Sequence, residues 1–146
     1  MGLDMYLKGD HYHSAYVDDV PRPKLDNKYN VDFTKVELGY WRKHADLHGY
    51  IVKTFANDVD ECQKIELTEE DLDKIILAIQ KNTLVKNHSG FFFGNSTEFG
   101  YYEAQEKAKA ISIFEKAKTF LKEGLEIQER DKLFYSPRSV FYHASW

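Results

Sequence analysis

Leu3, Met5 and Leu7 alternate with Asp4 and Tyr6, the period-two pattern of a strand with one buried face. Gly9 and Asp10 punctuate it. Residues 11–27 are rich in His, Tyr, Asp and Pro, and Pro21 and Pro23 suit neither a helix interior nor a central strand. That stretch reads as a long loop. Alternation resumes over residues 28–36, around Val31 and Phe33, and predicts a second strand.

The clearest helical pattern comes next. Trp41, His44, His48, Ile51 and Phe55 fall three, four, three and four residues apart, which predicts a helix over 37–55 with those side chains on its buried face. Gly39 and Gly49 each weaken such a helix by about 1 kcal/mol relative to Ala, so they mark close packing or a bend. Ile65 and Leu67 indicate a short strand within 62–67. Thr68 before Glu69, Glu70 and Asp71 is a capped, acidic helix start. This helix is expected to reach residue 81, with Leu72, Ile75, Ile76 and Ile79 turned inward. Residues 82–100 read as a loop broken by Phe91, Phe92 and Phe93 between Gly90 and Gly94. A third helix is expected over 101–123, with Ala104, Ala108, Ile111, Phe114, Ala117 and Leu121 on one face and Gly124 as its stop. Two extended segments, 132–135 and 139–145, flank a turn at Ser136, Pro137 and Arg138.

Strands at both ends with helices between them lack the regular alternation of a doubly wound parallel sheet. They predict an α+β fold, a small antiparallel sheet packed against about three helices, in a single domain over residues 1–146. A length of 146 residues suits one domain.

Composition sharpens this picture. Aromatic residues make up 15% of the chain, and ten of them are Tyr, whose hydroxyls need polar partners when buried. Half-buried rings at a sheet surface, cleft or interface are therefore expected. The net charge is −4 and the basic residues are scattered. Nucleic-acid binding needs a basic face, so nucleic acid is not an expected partner. The one cysteine, Cys62, excludes an intrachain disulfide and suits a reducing cytoplasm. Residues 1–5 have neither the basic stretch nor the apolar run of a signal peptide, and no segment approaches the ~18 apolar residues of a membrane span. A cytoplasmic location, with no membrane partner, is the expectation.

Four segments together carry a resemblance. They are Met1-Gly2-Leu3-Asp4-Met5-Tyr6-Leu7, then Leu38-Gly39-Tyr40-Trp41-Arg42-Lys43 with His48, then Ser89-Gly90-Phe91-Phe92-Phe93-Gly94, and the ending Phe141-Tyr142-His143-Ala144-Ser145-Trp146. In this order they resemble a widespread family of short proteins encoded by bacteriophages and prophages. The likeness runs from the first residue to the last. It implies one domain and a setting in the host-cell cytoplasm, and it assigns no activity. The chain departs from the family at His44-Ala45, where an alanine-asparagine-like pair is usual. It departs again at His143-Ala144, within an ending that usually resembles Tyr-Tyr-Gln-Ser-Ser-Trp.

Candidate chemistry is sparse. His44 and His48, four apart, could place two imidazoles on one metal. No third ligand stands at a recognisable spacing, although His11 and His13 could add to the pair. Structural histidines are the plainer reading, and no bound metal or cofactor is expected. Arg42 and Lys43 follow Trp41; they are either a solvated face or two cations at a pocket rim, where an arginine fork suits phosphate and a ring suits a base. The segment around Ser89 and Phe91 lacks the Gly-Lys-Ser/Thr ending of a phosphate-binding loop. It reads as a buried strand, or as a site offering backbone N–H groups, a hydroxyl and rings. No catalytic triad or carboxylate pair stands out.

The resulting expectation is a binding protein rather than an enzyme. Its ligand would be an anionic, nucleotide-like small molecule, held by Arg42, Lys43, Ser89 and Phe91 with aromatic walls from Tyr142 and Trp146. In a phage setting such a protein would sequester a host defence signal. An inhibitor of a host protein acting through a Tyr-rich surface is the alternative, and a small metal-dependent hydrolase using His44 and His48 is the next. A homo-oligomer is compatible with all three.

Overall fold

The computed structural model describes residues 2–13, 22–81, 84 and 103–146. Its elements in chain order are β1 (Asp4–Tyr12), β2 (Lys24–Leu25), β3 (Tyr29–Asn30), β4 (Phe33–Arg42), α1 (Ala45–Phe55), β5 (Ile65–Leu67), α2 (Glu69–Gln80), α3 (Glu103–Asp131) and β6 (Arg138–Ser145). Four strands form an antiparallel sheet in the order β4-β1-β6-β5, and β2 pairs with β3 in a separate hairpin. The fold is α+β. No described helix is long and apolar enough to cross a membrane.

Strand β1 follows from its alternation. Leu3, Met5 and Leu7 are fully buried beneath the helices, whereas Asp4, Tyr6 and Lys8 keep contact with solvent. Val140, Tyr142 and Ala144 of β6 and Ile65 and Leu67 of β5 join the same buried face. The helices close over it with Leu47, Ile51, Leu72, Ile75, Ile79, Ala110, Phe114 and Ala117, in one contiguous core. Helix α2 begins in a reciprocal capping box, the Thr68 hydroxyl accepting from Asp71 N–H and the Asp71 carboxylate from Thr68 N–H.

Several expectations are corrected. Residues 37–42 are strand, not helix. Trp41 is buried as expected, but from β4, where it stacks on Phe114 with ring centres 5.3 Å apart. The helical spacing misled because residues 41 and 44 precede α1, and His44 is its N-cap, accepting from Leu47 N–H at 3.4 Å. Gly39 marks close packing: a Cβ there would stand 2.3 Å from Ile113 Cγ2, so only glycine lets α3 settle on β4. Helix α3 runs through Gly124 to Asp131. Gly124 is an approach point rather than a stop, since a Cβ would lie 2.8 Å from Arg138 Cβ. Residues 132–135 are a turn, entered at Lys132 with φ 57°. Of the loop expected over 11–27, residues 14–21 lie outside the described residues; His11 and Tyr12 instead end β1, and residues 24–27 belong to the β2–β3 hairpin, whose turn residues Asp26 and Asn27 both take positive φ.

Candidate functional site

Strand alternation gives the sheet a second face that no helix among the described residues covers. On β1 it carries Asp4, Tyr6, Lys8 and Asp10. Register sets Tyr6 between Tyr40 and His143, Lys8 beside Phe141, and Asp10 between Lys35 and Ser139. Lys64, just before β5, reaches over from the far side: its Nζ lies 4.6 Å from the centre of the Phe141 ring and 3.8 Å from Asp10 Oδ2. Tyr6, Lys8, Asp10, Lys35, Lys64, Phe141 and His143 line a hollow of about 180 Å³.

The electrostatics of the hollow are one-sided. Three ammonium groups and one carboxylate line it. Glu37 and Glu66 hold register positions beside Lys8 and Phe141 but are outside the lining. Burial, then the charges of Lys8, Lys64 and Lys35, hold the His143 imidazole below its ordinary range. Three lysines thus act on one neutral ring. Lys8 Nζ sits 5.3 Å from the centre of the Tyr6 ring, a cation–π distance. That ring in turn stacks on His143 at 5.3 Å and 25°. Asp10 is almost fully buried, and its Oδ1 has no hydrogen-bond partner among the described residues. A carboxylate oxygen in that condition calls for a donor.

Those residues expected to form the site that are described stand in different surroundings. Arg42 is on the open face but beyond the hollow, its Nε 4.0 Å from Asp4 Oδ1, and its side chain is mostly exposed. Tyr40 hydroxyl donates to the same Asp4 oxygen at 2.5 Å, which is the main reason its phenol pKa is raised. Lys43 follows β4 with φ 56°. Tyr142 points the opposite way, into the core, and is not a pocket wall. Trp146 donates its indole N–H to Asp60 Oδ1 at 3.1 Å. Ser89 and Phe91 lie outside the described residues.

The two histidines of α1 have different partners. His48 is buried, with Nε2 2.9 Å from Asp60 Oδ2 and Nδ1 2.6 Å from Tyr142 hydroxyl. A carboxylate accepts, so Nε2 carries the proton and Nδ1 accepts from the phenol. The chain Tyr142–His48–Asp60–Trp146 therefore ties the last strand to α1 and to the connection before β5. His44 caps α1, and burial lowers its pKa. On the face of β1 turned toward α3, His11 and His13 stack at 4.3 Å. Arg138 Nε donates to His11 Nδ1 at 3.0 Å and its Nη1 to Glu123 at 2.9 Å. Among the described residues, no group of three or more His, Cys, Asp or Glu gathers as a metal site.

Sequence reasoning missed Tyr6, Lys8, Asp10, Lys35, Lys64, Phe141 and His143. A signal was present: Tyr6, Lys8 and Asp10 share strand parity, as do Phe141 and His143. Their convergence depends on β6 pairing with β1, which spacing along the chain does not reveal. No family model, curated protein or solved structure matches this chain.

Proposed function

We propose that the chain is a binding protein whose open sheet face takes a small anionic ligand bearing a flat, nitrogen-rich ring, of the nucleotide class. The observation that supports this most is the convergence of Lys8, Lys35 and Lys64 on a hollow walled by Tyr6, Phe141 and His143. The lysines suit a phosphate and the rings suit a base. The hollow is small beside the roughly 300–1,000 Å³ of a drug-sized site, so part of the ligand stays in solvent. Binding without catalysis is the reading because the hollow offers cations and rings but no nucleophile paired with a base.

The resemblance to phage proteins adds a proposed setting. In the host cytoplasm such a protein would sequester a nucleotide-like defence signal. The alternative, an inhibitor of a host protein, draws on a different observation: Tyr12 meets Phe33 and Tyr135 at ring distances of 6.2 and 6.4 Å, near the fully exposed Phe134. The hydrolase alternative draws less support, since His44 and His48 are engaged with separate partners.

Titration calorimetry with cyclic dinucleotides, ADP-ribose and nucleoside monophosphates tests the proposal. A hydrogen bond to a charged group contributes about 1.5–3 kcal/mol, so Lys64→Ala should weaken binding by roughly 10- to 150-fold. No heat from any of these ligands at high micromolar concentration would count against the site. A host protein recovered on the wild type, and lost with Tyr135→Ala but not Lys64→Ala, would favour the alternative.

A further inference from the structure

Strand β4 is an edge: β1 pairs with one side of it, and among the described residues no strand pairs with the other. Its first half is also uncovered. Phe33, Lys35, Val36 and Glu37 are exposed and Thr34 is half-buried, so consecutive residues, not alternate ones, stand in solvent. Long edge strands template pairing with another chain and are usually blunted by a lysine or a bulge. The bulge of β4 lies beyond this stretch, opposite the step from Leu7 to Lys8. The lysine, Lys35, has an opposite charge two residues on, at Glu37, on the same face.

We propose that a second copy of this chain pairs antiparallel with β4, about a two-fold axis through Val36. That register sets Val36 against the partner's Val36, Lys35 against the partner's Glu37, and Glu37 against the partner's Lys35. A β-branched pair sits at the centre between two pairs of opposite charge, each a favourable cross-strand combination. Neighbouring registers are self-defeating. An axis through Lys35 opposes two lysines, and one through Glu37 opposes two glutamates. The lysine that would repel an unrelated strand thus selects this strand's own copy. The two sheets become one continuous sheet, with both open faces on the same side. The inference stands on the edge and its charges and does not depend on the ligand proposed above.

The wild type should have a dimeric mass by sedimentation or light scattering. In a Cys62→Ser background, Val36→Cys should cross-link under mild oxidation. Directly opposed Cα atoms lie roughly 4.5–5.5 Å apart, within disulfide reach. Thr34→Cys should not cross-link, since it faces the partner's Leu38. Glu37→Lys should weaken the dimer on the order of tenfold, by turning both charge pairs repulsive, and Lys35→Glu with Glu37→Lys should restore it. A monomeric mass at about 1 mM protein overturns the proposal. So does a dimer that cross-links equally through Thr34→Cys or ignores Glu37→Lys.

Discussion

A tyrosine–histidine pair stands against each face of the sheet, and the two pairs behave as opposites. Beneath the helices, Tyr142 and His48 are almost fully buried, and each polar atom has a fixed partner: phenol to Nδ1, Nε2 to Asp60. Burial pushes the Tyr142 phenol well above its ordinary range, with the Asp60 charge adding to it. On the open face, Tyr6 and His143 meet only ring to ring, and three lysines rather than a carboxylate surround the imidazole. The same residue types hold the fold on one side and offer a surface on the other. Desolvation makes the difference: a buried polar atom must be paired to avoid a cost of about 1–3 kcal/mol, whereas an open face tolerates unpaired charge because water screens it.

Four substitutions or conditions sharpen this contrast. The largest effect belongs to the buried side. Trp41→Ala should cost about 3–5 kcal/mol, read as a fall in the urea midpoint; a midpoint unchanged would mean that the ring is not packed on Phe114. Next, Tyr142→Phe removes the donor to His48 Nδ1 and should cost about 1–3 kcal/mol while leaving the hollow intact. Undiminished stability would show that a buried water replaces the phenol.

Acid is the third probe. His11 is held down to about 4 by burial first, then by His13 and Arg138. His13, His44 and His143 are also lowered, each chiefly by burial. In the unfolded chain these imidazoles take protons near pH 6.5, earlier than in the fold. Their contribution is therefore complete above about pH 6.5 and is lost as pH falls toward about 4. For the partly exposed His11 the loss is on the order of 1 kcal/mol after solvent screening. Denaturant midpoints from pH 7 to 4 should fall, and His11→Gln should flatten the slope. An anion in the hollow would also offset the lysines and raise the His143 pKa, so ligand affinity should rise as pH falls below neutrality. An unmoved His143 titration by NMR would place the ligand elsewhere.

The smallest effect completes the contrast. Lys64→Ala should leave stability within about 0.5 kcal/mol, although it weakens ligand binding. A large loss of stability would make Lys64 a counter-ion to Asp10 and not a ligand group.

What could be read along the chain was local. Alternation in Leu3, Met5 and Leu7 and the capped start at Thr68 each depend on neighbours a few residues away, and each is found in place. The stripe expected on α3 is met only in part: Phe114 and Ala117 are buried, but Ala110 and Ile113 complete the buried face and Ala108 is exposed. The α+β class followed from their order. Local pattern failed where two periods coincide. Trp41 fits a helical stripe with His44 and also the inward parity of β4, and the packing of Phe114 and Ile113 against this strand decides between them. It failed again at Gly124, where the residue serves contact with Arg138 and not helix termination.

The hollow was beyond such reading altogether. Lys8, Lys35, Lys64 and Phe141 come from β1, β4, the approach to β5, and β6. Composition alone determined that the chain would have rings and cations to spare. Only the strand order β4-β1-β6-β5 brought three lysines and three rings to one face, and only the helices over the other face turned Tyr142 from a candidate wall into a core residue. Side-chain periodicity states which residues share a face of their own strand. It carries no information about which strands lie side by side, because that choice is made by burying the whole core at once.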